Sequence, residues 1–393
     1  MRYPKFLQSG GRIGFIAPSF GCATQPYRIR FETSLANFTR EGYELVIGPN
    51  AFACEGIGIS NTPEKCADEA NDFFLNDKSD VIISCGGGEL MCEVLPYMEF
   101  DKIAKAKPKW FMGYSDNTNF TFMLNTLCDT AAIYGPCAGG YGSREDFFVG
   151  YTYITNPVKT GKSQEQIREI ADTMYEMSQN AMDLITGKKL TFGNYEKWFT
   201  ERHVRESMPG ENIEETVGEE TAENTAEYVT EYTDFTAHDY KQYLYIGDKE
   251  VDDLEFSGRL LGGCLDCLAN IVGTKFDKVA EFADKYSGDG IVWFLESCEL
   301  NVMSQARALW NLDNAGWFKH VRAFIIGRPM MFDDTFGDFD HYQAVLHELS
   351  KYNVPIIMDA DIGHLSPMIP IISGACAKVK AEGNSLCVTY DMN

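Results

Sequence analysis

A chain of 393 residues is longer than one hydrophobic core usually organises, and an apolar content of 45% indicates a globular protein with two domains. Its 34 basic and 58 acidic residues give a net charge of −24, which repels phosphate backbones and anionic lipid surfaces. No apolar run has the length of a signal segment or membrane span, so we expect a soluble cytoplasmic protein without nucleic-acid or membrane partners.

The first part of the chain alternates strand and helix patterns. Strands are predicted at residues 11–17, 43–47 and 81–84, and helices at 27–41 and 62–75. This alternation is typical of βαβ units around a parallel sheet, in which ligands bind beyond the carboxyl ends of the strands.

Three loops follow predicted strands at that edge: residues 18–21, the glycines 86–88, and the turn Gly-Tyr-Ser-Asp-Asn at 113–117. An apolar run precedes the last turn and a helical pattern follows it. Strand, sharp turn and helix form a nucleophile elbow, which projects the hydroxyl of Ser115 above the sheet. Asn117 stands where the elbow usually has glycine, and it tolerates unusual backbone angles better than most residues. The alternative is an ordinary turn.

A nucleophilic serine needs a general base, normally histidine, and a carboxylate that orients the base. Of the six histidines, His364 alone follows a predicted strand directly, in the loop after residues 354–358. Glu296 ends the apolar strand that begins at Gly290, and burial of this acid is costly without a partner. The alternatives are a solvated glutamate at a strand end and a histidine that caps a turn.

Acyl transfer also needs two N–H donors that face the developing oxyanion. We assign one to the N–H of Asp116, directly after the serine, and the other to Gly87 or Gly88. The triple glycine is not a P-loop, because no Gly-Lys-Ser/Thr sequence follows it.

The twelve cysteines are expected to be reduced thiols, since disulfide frameworks belong mainly to small secreted domains. Cys264 and Cys267 have the spacing of a metal or redox pair, but they lack a second pair or a nearby histidine, so packing is the favoured interpretation. Cys85 is an alternative nucleophile for an amidotransferase-like site. We expect neither a metal nor a cofactor.

The middle of the chain departs from the α/β pattern. A helix is predicted at 164–184, followed by polar and aromatic sequence that contains Trp198. Residues 206–234 contain ten acidic residues and no basic one, which predicts a solvated, partly mobile excursion. The alternative for this segment is a lid, or a selector of a basic substrate group.

A second α/β domain begins at the glycines of residues 258–263, which suggest close backbone approach or a tight turn before a helix at 264–272. Further strands are predicted at 290–295, 323–326 and 354–358, and further helices at 303–311 and 339–351. We therefore predict an N-terminal α/β domain at 1–165, an interdomain helical and acidic insert at 166–255, and a C-terminal α/β domain at 256–393.

These residues resemble the LD-carboxypeptidase or S66 serine peptidases, which include the microcin C self-immunity peptidases. The resemblance rests on Gly-Phe-Ile-Ala-Pro-Ser at 14–19 and on residues 84–95, 109–118, 258–274, 294–296, 363–364 and Pro370. It implies a parallel-sheet N-terminal α/β domain that carries the elbow and a smaller C-terminal α/β domain that carries the acid and base. By this resemblance Ser115 is the nucleophile, His364 the general base and Glu296 its orienting acid. The site would lie between the domains, and a homodimer is implied.

Departures from the family pattern bear on the substrate. Typical LD-carboxypeptidases are similar to Arg-Gly-Gly-Tyr-Gly at the glycine loop, where this chain has Cys-Gly-Gly-Gly-Glu at 85–89. The long interdomain segment resembles the microcin-immunity branch, in which an aromatic residue stacks on a nucleobase. We predict substrate contacts at Glu89, Tyr114 and Trp198, although Trp198 has the alternative of covering apolar surface.

The predicted function is serine-dependent cleavage of an amide-type bond near the C-terminus of a small peptide or peptidyl-nucleotide conjugate. One alternative substrate is a muropeptide that loses D-alanine in peptidoglycan recycling. The alternative of another class is a non-catalytic protein that binds a small molecule between two α/β domains.

Overall fold

A computed structural model describes residues 1–208 and 228–392. The strands are β1 (Arg12–Ile16), β2 (Glu44–Ile47), β3 (Val81–Ser84), β4 (Trp110–Gly113), β5 (Ala132–Tyr134), β6 (Thr191–Gly193), β7 (Lys197–Met208), β8 (Tyr228–Asp239), β9 (Tyr243–Ile246), β10 (Lys249–Glu250), β11 (Asp253–Cys264), β12 (Ile291–Glu296), β13 (Val321–Gly327), β14 (Pro355–Ala360), β15 (Ile371–Ser373), β16 (Cys376–Glu382) and β17 (Ser385–Asp391). The helices are α1 (Tyr27–Arg40), α2 (Pro63–Leu75), α3 (Phe100–Ile103), α4 (Thr118–Thr126), α5 (Arg144–Thr155), α6 (Pro157–Thr160), α7 (Gln164–Ile185), α8 (Leu265–Ile271), α9 (Val279–Lys285), α10 (Val302–Asn314) and α11 (His341–Leu349). None of these helices combines the length and apolar character needed to cross a bilayer.

The first sheet has six strands in the order β15-β5-β4-β3-β1-β2. Strands β1 to β5 are parallel to their neighbours, and β15 pairs with β5 in antiparallel orientation. Both β3 and β4 are buried along their whole length, as expected for strands covered on both faces. The predicted parallel-sheet domain is therefore confirmed.

The second sheet has nine strands in the order β10-β9-β14-β13-β12-β11-β16-β17-β6. Its centre, β11 to β14, is parallel, and β12 is buried at every position. The mixed α/β fold with two sheets agrees with the predicted fold class. Strands β6, β9 and β10, which come from the predicted insert, join this sheet, and β15 joins the first sheet. The predicted domain boundaries stay a prediction.

The glycines at 258–263 lie inside β11 and not in a turn. A Cβ added at Gly262 would lie 1.8 Å from the carbonyl oxygen of Phe294, and one at Gly263 would lie 2.6 Å from Cγ2 of Thr118. Close backbone approach is therefore the correct alternative. It lets β12 and the elbow helix α4 pack directly against β11.

Strands β7 and β8 form a two-stranded antiparallel hairpin, which the sequence analysis did not predict. The predicted solvated excursion at 206–234 is strand at both of its ends, because β7 continues to Met208 and β8 begins at Tyr228. The rest of that prediction, including the lid, falls on residues 209–227, which lie outside the described residues.

Candidate active site

Ser115 occupies the sharp turn between β4 and α4. Its φ of 63° is in the left-handed region, which is unusual for a residue other than glycine and is typical of a nucleophile elbow. Asn117 has ordinary helical backbone angles, so its tolerance of unusual angles is not what this position needs. Instead, its side-chain amide donates to the carbonyl oxygens of Gly86 at 2.8 Å and Tyr114 at 3.0 Å. These bonds fix the elbow to the glycine loop.

The structure brings the three side chains of the predicted triad together. Nε2 of His364 lies 2.9 Å from Oγ of Ser115, and its Nδ1 lies 2.8 Å from Oε2 of Glu296. Glu296 is the last residue of β12, and His364 lies in the loop after β14. The adjacent Gly363 has a φ of 116°, and a Cβ there would lie 2.6 Å from Oε2 of Glu296. Only glycine therefore lets the histidine loop approach the acid this closely.

Opposing effects set the protonation of the buried His364–Glu296 pair. Burial raises the pKa of Glu296, but the charge of His364 and hydrogen bonds from His364 and Tyr134 bring this pKa below its ordinary value. Burial lowers the pKa of His364, but the charge of Glu296 and contact with Cys298 raise it well above the ordinary histidine range. Glu296 therefore favours the protonated form of the imidazole of His364.

The predicted oxyanion donors lie around Ser115. A Cβ added at Gly87 would lie 3.2 Å from Cβ of Ser115, so the glycine loop runs directly beside this serine. Within the described chain, no backbone or side-chain acceptor receives the N–H groups of Gly87, Gly88 or Asp116. These N–H groups can therefore donate to a ligand, as an oxyanion hole requires.

The carboxylate of Asp116 connects the loops around the elbow, a role that the sequence analysis missed. It accepts hydrogen bonds from Oγ of Ser19 at 2.6 Å, the backbone N–H of Met91 at 2.9 Å and the amide of Asn119 at 3.0 Å. Burial raises the pKa of Asp116 to about 6. Together with the bond from Asn117 to Gly86, the bond from Ser19 to Asp116 shows that the three loops predicted at this sheet edge meet. An acid directly after Ser115 was the available signal.

Tyr134 is a second residue that the sequence analysis missed. It ends β5, a strand whose residues are all buried, and its hydroxyl contacts both the carboxylate of Glu296 and the backbone of Ser115. A tyrosine at the carboxyl end of a strand in the same sheet was the available signal.

The three predicted substrate contacts differ in their surroundings. Glu89 lies at the surface. Its partial desolvation there and the charges of Glu299 and Asp266 raise its pKa. The ring of Tyr114 lies 5.3 Å from that of His364.

Trp198 is only 8% exposed. It stacks on His238 at 4.2 Å, and the Arg328 guanidinium lies 4.3 Å from its ring centroid. This packing favours the alternative of a tryptophan that covers apolar surface, and its role as a substrate contact stays a prediction.

The surroundings of the cysteines favour neither a thiol nucleophile nor a metal site. Burial raises the pKa of the Cys85 thiol well above its ordinary value, and the side chain belongs to the hydrophobic core. Sγ of Cys267 lies 3.7 Å from the carbonyl oxygen of Ser115, and Sγ of Cys264 lies 3.4 Å from Oδ2 of Asp266. Across the residues that the structure describes, no group of three or more His, Cys, Asp or Glu side chains is arranged to hold a metal ion.

Comparison with known proteins places the chain in a family. Residues 13–135 match the LD-carboxypeptidase N-terminal domain, and residues 257–379 match the LD-carboxypeptidase C-terminal domain, both of the S66 peptidases. The microcin C7 self-immunity protein MccF of Escherichia coli is 22% identical over 98% of this chain and 94% of that protein.

Two solved structures share the fold. MccF in complex with aspartyl sulfamoyl adenosine has a TM-score of 0.68 at 20% identity, covering 100% of this chain and 99% of that one. An MccF-like protein from Bacillus anthracis has a TM-score of 0.69 at 18% identity, covering 100% of both chains. The chain belongs to the LD-carboxypeptidase family of S66 serine peptidases, and it is an enzyme of the serine carboxypeptidase type.

Proposed function

We propose that this enzyme cleaves an amide-type bond near the C-terminus of a small peptide or a peptidyl-nucleotide conjugate, with Ser115 as nucleophile, His364 as general base and Glu296 as orienting acid. The continuous hydrogen-bond chain from Glu296 through His364 to Ser115, with distances of 2.8 and 2.9 Å, is the observation that supports this proposal most.

The reaction begins when Oγ of Ser115 attacks the scissile carbonyl carbon and His364 takes the hydroxyl proton. The negative charge on the carbonyl oxygen is stabilised by the N–H groups of Asp116 and of Gly87 or Gly88. His364 then gives its proton to the leaving nitrogen, and the amine departs from an acyl-enzyme. Water attacks the ester with His364 again as base, which releases the carboxylic acid and restores the serine.

The surroundings of Glu89 support a substrate that carries an ammonium group. Burial and the charges of Glu299 and Asp266 raise the pKa of Glu89, so a substrate cation beside Glu89 would stabilise its ionised carboxylate. An aminoacyl group with a free amine fits this requirement. The relative MccF has been solved with aspartyl sulfamoyl adenosine, which has such an amine, so we favour a peptidyl-nucleotide conjugate. A muropeptide that ends in D-alanine is the alternative.

The test compares the wild type, Ser115→Ala and the control Ser385→Ala, which changes an exposed serine on β17. Each is incubated with aspartyl sulfamoyl adenosine and, separately, with a tetrapeptide muropeptide, and products are identified by mass spectrometry. Ser115→Ala should lose at least about three powers of ten in rate, whereas the control should match the wild type. A loss below about tenfold would remove Ser115 from the nucleophile role.

The substrate that the wild type cleaves identifies the branch of the family. Cleavage of the conjugate alone supports the favoured substrate, and cleavage of the muropeptide alone supports the alternative. Turnover of neither would point to a substrate outside both groups. The cytoplasmic location and the homodimer stay predictions, which cell fractionation and light scattering would test.

A further inference from the structure

The hydroxyl of Tyr134 connects the nucleophile to the acid of the triad. It donates a hydrogen bond to Oε1 of Glu296 at 2.5 Å and accepts one from the backbone N–H of Ser115 at 3.1 Å. Ser115 follows a strand of the six-stranded sheet, whereas Glu296 belongs to the nine-stranded sheet. A single buried hydroxyl therefore joins catalytic elements from the two sheets.

The surrounding structure holds this hydroxyl in place. In β5, Tyr134 pairs with Gly113 of β4 on one side and with Ile371 of β15 on the other. Its ring lies 5.6 Å from that of Phe294, and the residue is 0% exposed. The backbone of Tyr134 is therefore paired on both sides, and its ring is buried against the core.

The direction of the two hydrogen bonds follows from protonation. Burial and the charge of Glu296 raise the pKa of Tyr134 well above its ordinary value, so the phenol keeps its proton. The phenol O–H must then donate to the carboxylate, and a lone pair of the same oxygen accepts the N–H of Ser115. That N–H belongs to a residue with an unfavourable φ of 63°, which needs such support.

We propose that Tyr134 is a positioning residue that holds Glu296 and the backbone of Ser115 in the geometry that the triad needs, an inference that rests on the proposed function. Oε1 of Glu296 is bound by Tyr134, and Oε2 faces His364. Donation from the phenol to Oε1 makes the carboxylate a weaker base. Removal of the phenol would therefore strengthen the attraction between Glu296 and the imidazolium.

Other ionisable groups also act on this pair and must be considered in any pH experiment. Among residues 1–208 and 228–392, the ionisable groups that interact with His364 or Glu296, besides Tyr134 and each other, are Cys298, Glu89, Cys264, Cys267 and Tyr114. All are present unchanged in the variants below, so a difference between variants reports on Tyr134.

The test uses two changes at Tyr134 with opposite expected effects. Tyr134→Phe removes the donor, and incorporation of 3,5-difluorotyrosine at position 134 makes the phenol more acidic and a stronger donor. The pKa of His364 is measured in each by NMR titration of protein labelled with ¹⁵N-histidine, in which His364→Gln identifies the signal. Tyr390→Phe is the matched control, because Tyr390 is also buried and its hydroxyl donates to the carbonyl oxygen of Pro370 at 2.8 Å.

We expect Tyr134→Phe to raise the pKa of His364 by about half a unit or more, and difluorotyrosine to lower it. Tyr134→Phe should also lower kcat by about one to two powers of ten, because the nucleophile is less well held, while KM stays unchanged for a residue without solvent exposure. Tyr390→Phe should alter neither quantity. If Tyr134→Phe does not fold, the direction in which the pKa of His364 changes in the difluorotyrosine protein tests the inference by itself.

An unchanged pKa of His364 in both proteins with altered phenols would overturn the inference, as would a shift of the same sign in both. Failure of the proposed function is separately visible. If Ser115→Ala retains activity, the nucleophile assignment fails, whereas the NMR titration still measures the effect of Tyr134 on the pair without any substrate.

Discussion

Gly363→Ala tests whether the contact between the histidine loop and the acid controls catalysis. The added Cβ would lie 2.6 Å from Oε2 of Glu296, whereas ordinary van der Waals contact begins at 3.4 Å. The carboxylate oxygen or the loop must therefore move by about 0.8 Å, the difference between these distances. The same movement along the Glu296–His364 bond would lengthen it from 2.8 Å to a separation that no longer counts as a hydrogen bond.

The expected cost follows from this displacement. A misplacement near 1 Å in an active site lowers the rate by about 10²-fold, equivalent to about 2.7 kcal/mol in the activation free energy. A φ of 116° is also unfavourable for alanine and should lower the free energy of unfolding by about 1–3 kcal/mol. Measurements of kcat on the substrate cleaved by the wild type and of urea denaturation would give the two values.

Gly42→Ala is a control that introduces backbone strain at a positive φ without displacing a neighbouring group. Gly42 has a positive φ of 88°, but a Cβ there would have no atom within 4 Å. This control should lose stability to a similar degree and keep its kcat. A folded Gly363→Ala protein that retains more than about a third of the wild-type kcat would refute the reasoning that the Glu296–His364 distance limits catalysis.

Two further predictions concern charge. The net effect of Glu296 and its neighbours is to raise the pKa of His364 above the ordinary 6.5. Because the general base must be unprotonated, kcat/KM should fall as the pH decreases, with a midpoint above 6.5. Burial raises the pKa of Asp116 to about 6, so its protonation should add to the loss at lower pH. Glu296→Gln should lower both the midpoint and kcat, and a pH–rate profile unchanged in this variant would contradict the assignment. The second prediction is that Glu89→Gln raises KM about tenfold for a substrate with a free amine and leaves KM unchanged for the N-acetylated form of that substrate. Equal effects on the KM values of both substrates would exclude a contact between Glu89 and the ammonium group.

Much of the candidate site could be predicted because each residue follows a strand that the sequence makes visible. Ser115, Glu296 and His364 come after apolar runs, and strand β3 spans the predicted residues, Val81–Ser84. The carboxyl ends of parallel strands lie at one edge of a sheet, which places Ser115 at an edge of the first sheet and groups Glu296 with His364 at an edge of the second. That these two edges face each other was implied only by the family resemblance. The periodicity of α1 was equally clear, and its observed end, Arg40, lies one residue before the predicted end.

The remaining features depend on contacts distant in sequence. Strands β5 and β15 have three residues each, too few for a periodic pattern, and they exist because they pair with each other and with β4. The bond from Tyr134 to Glu296 joins residues 162 positions apart. Strands β7 and β8 overlap the ends of the acidic stretch at 206–234, whose charge indicated a solvated excursion and not a paired strand. No local signal distinguishes these cases, because tertiary pairing decides them.

Direct packing between the two sheets predicts that the site is sensitive to positions outside the proposed triad. Thr118 begins the elbow helix, and its Oγ1 accepts the backbone N–H of Cys264 at 2.9 Å. Cys264 is the register partner of Glu296 in the neighbouring strand, so a hydrogen bond and a strand pairing connect Thr118 to Glu296 through Cys264. Gly263 permits this approach, since any Cβ there would lie 2.6 Å from Thr118. The distances from Ser115 to Glu296 and His364 therefore depend on packed backbone, and a side chain at Gly263 should move the two sheets, and the proposed triad with them, apart.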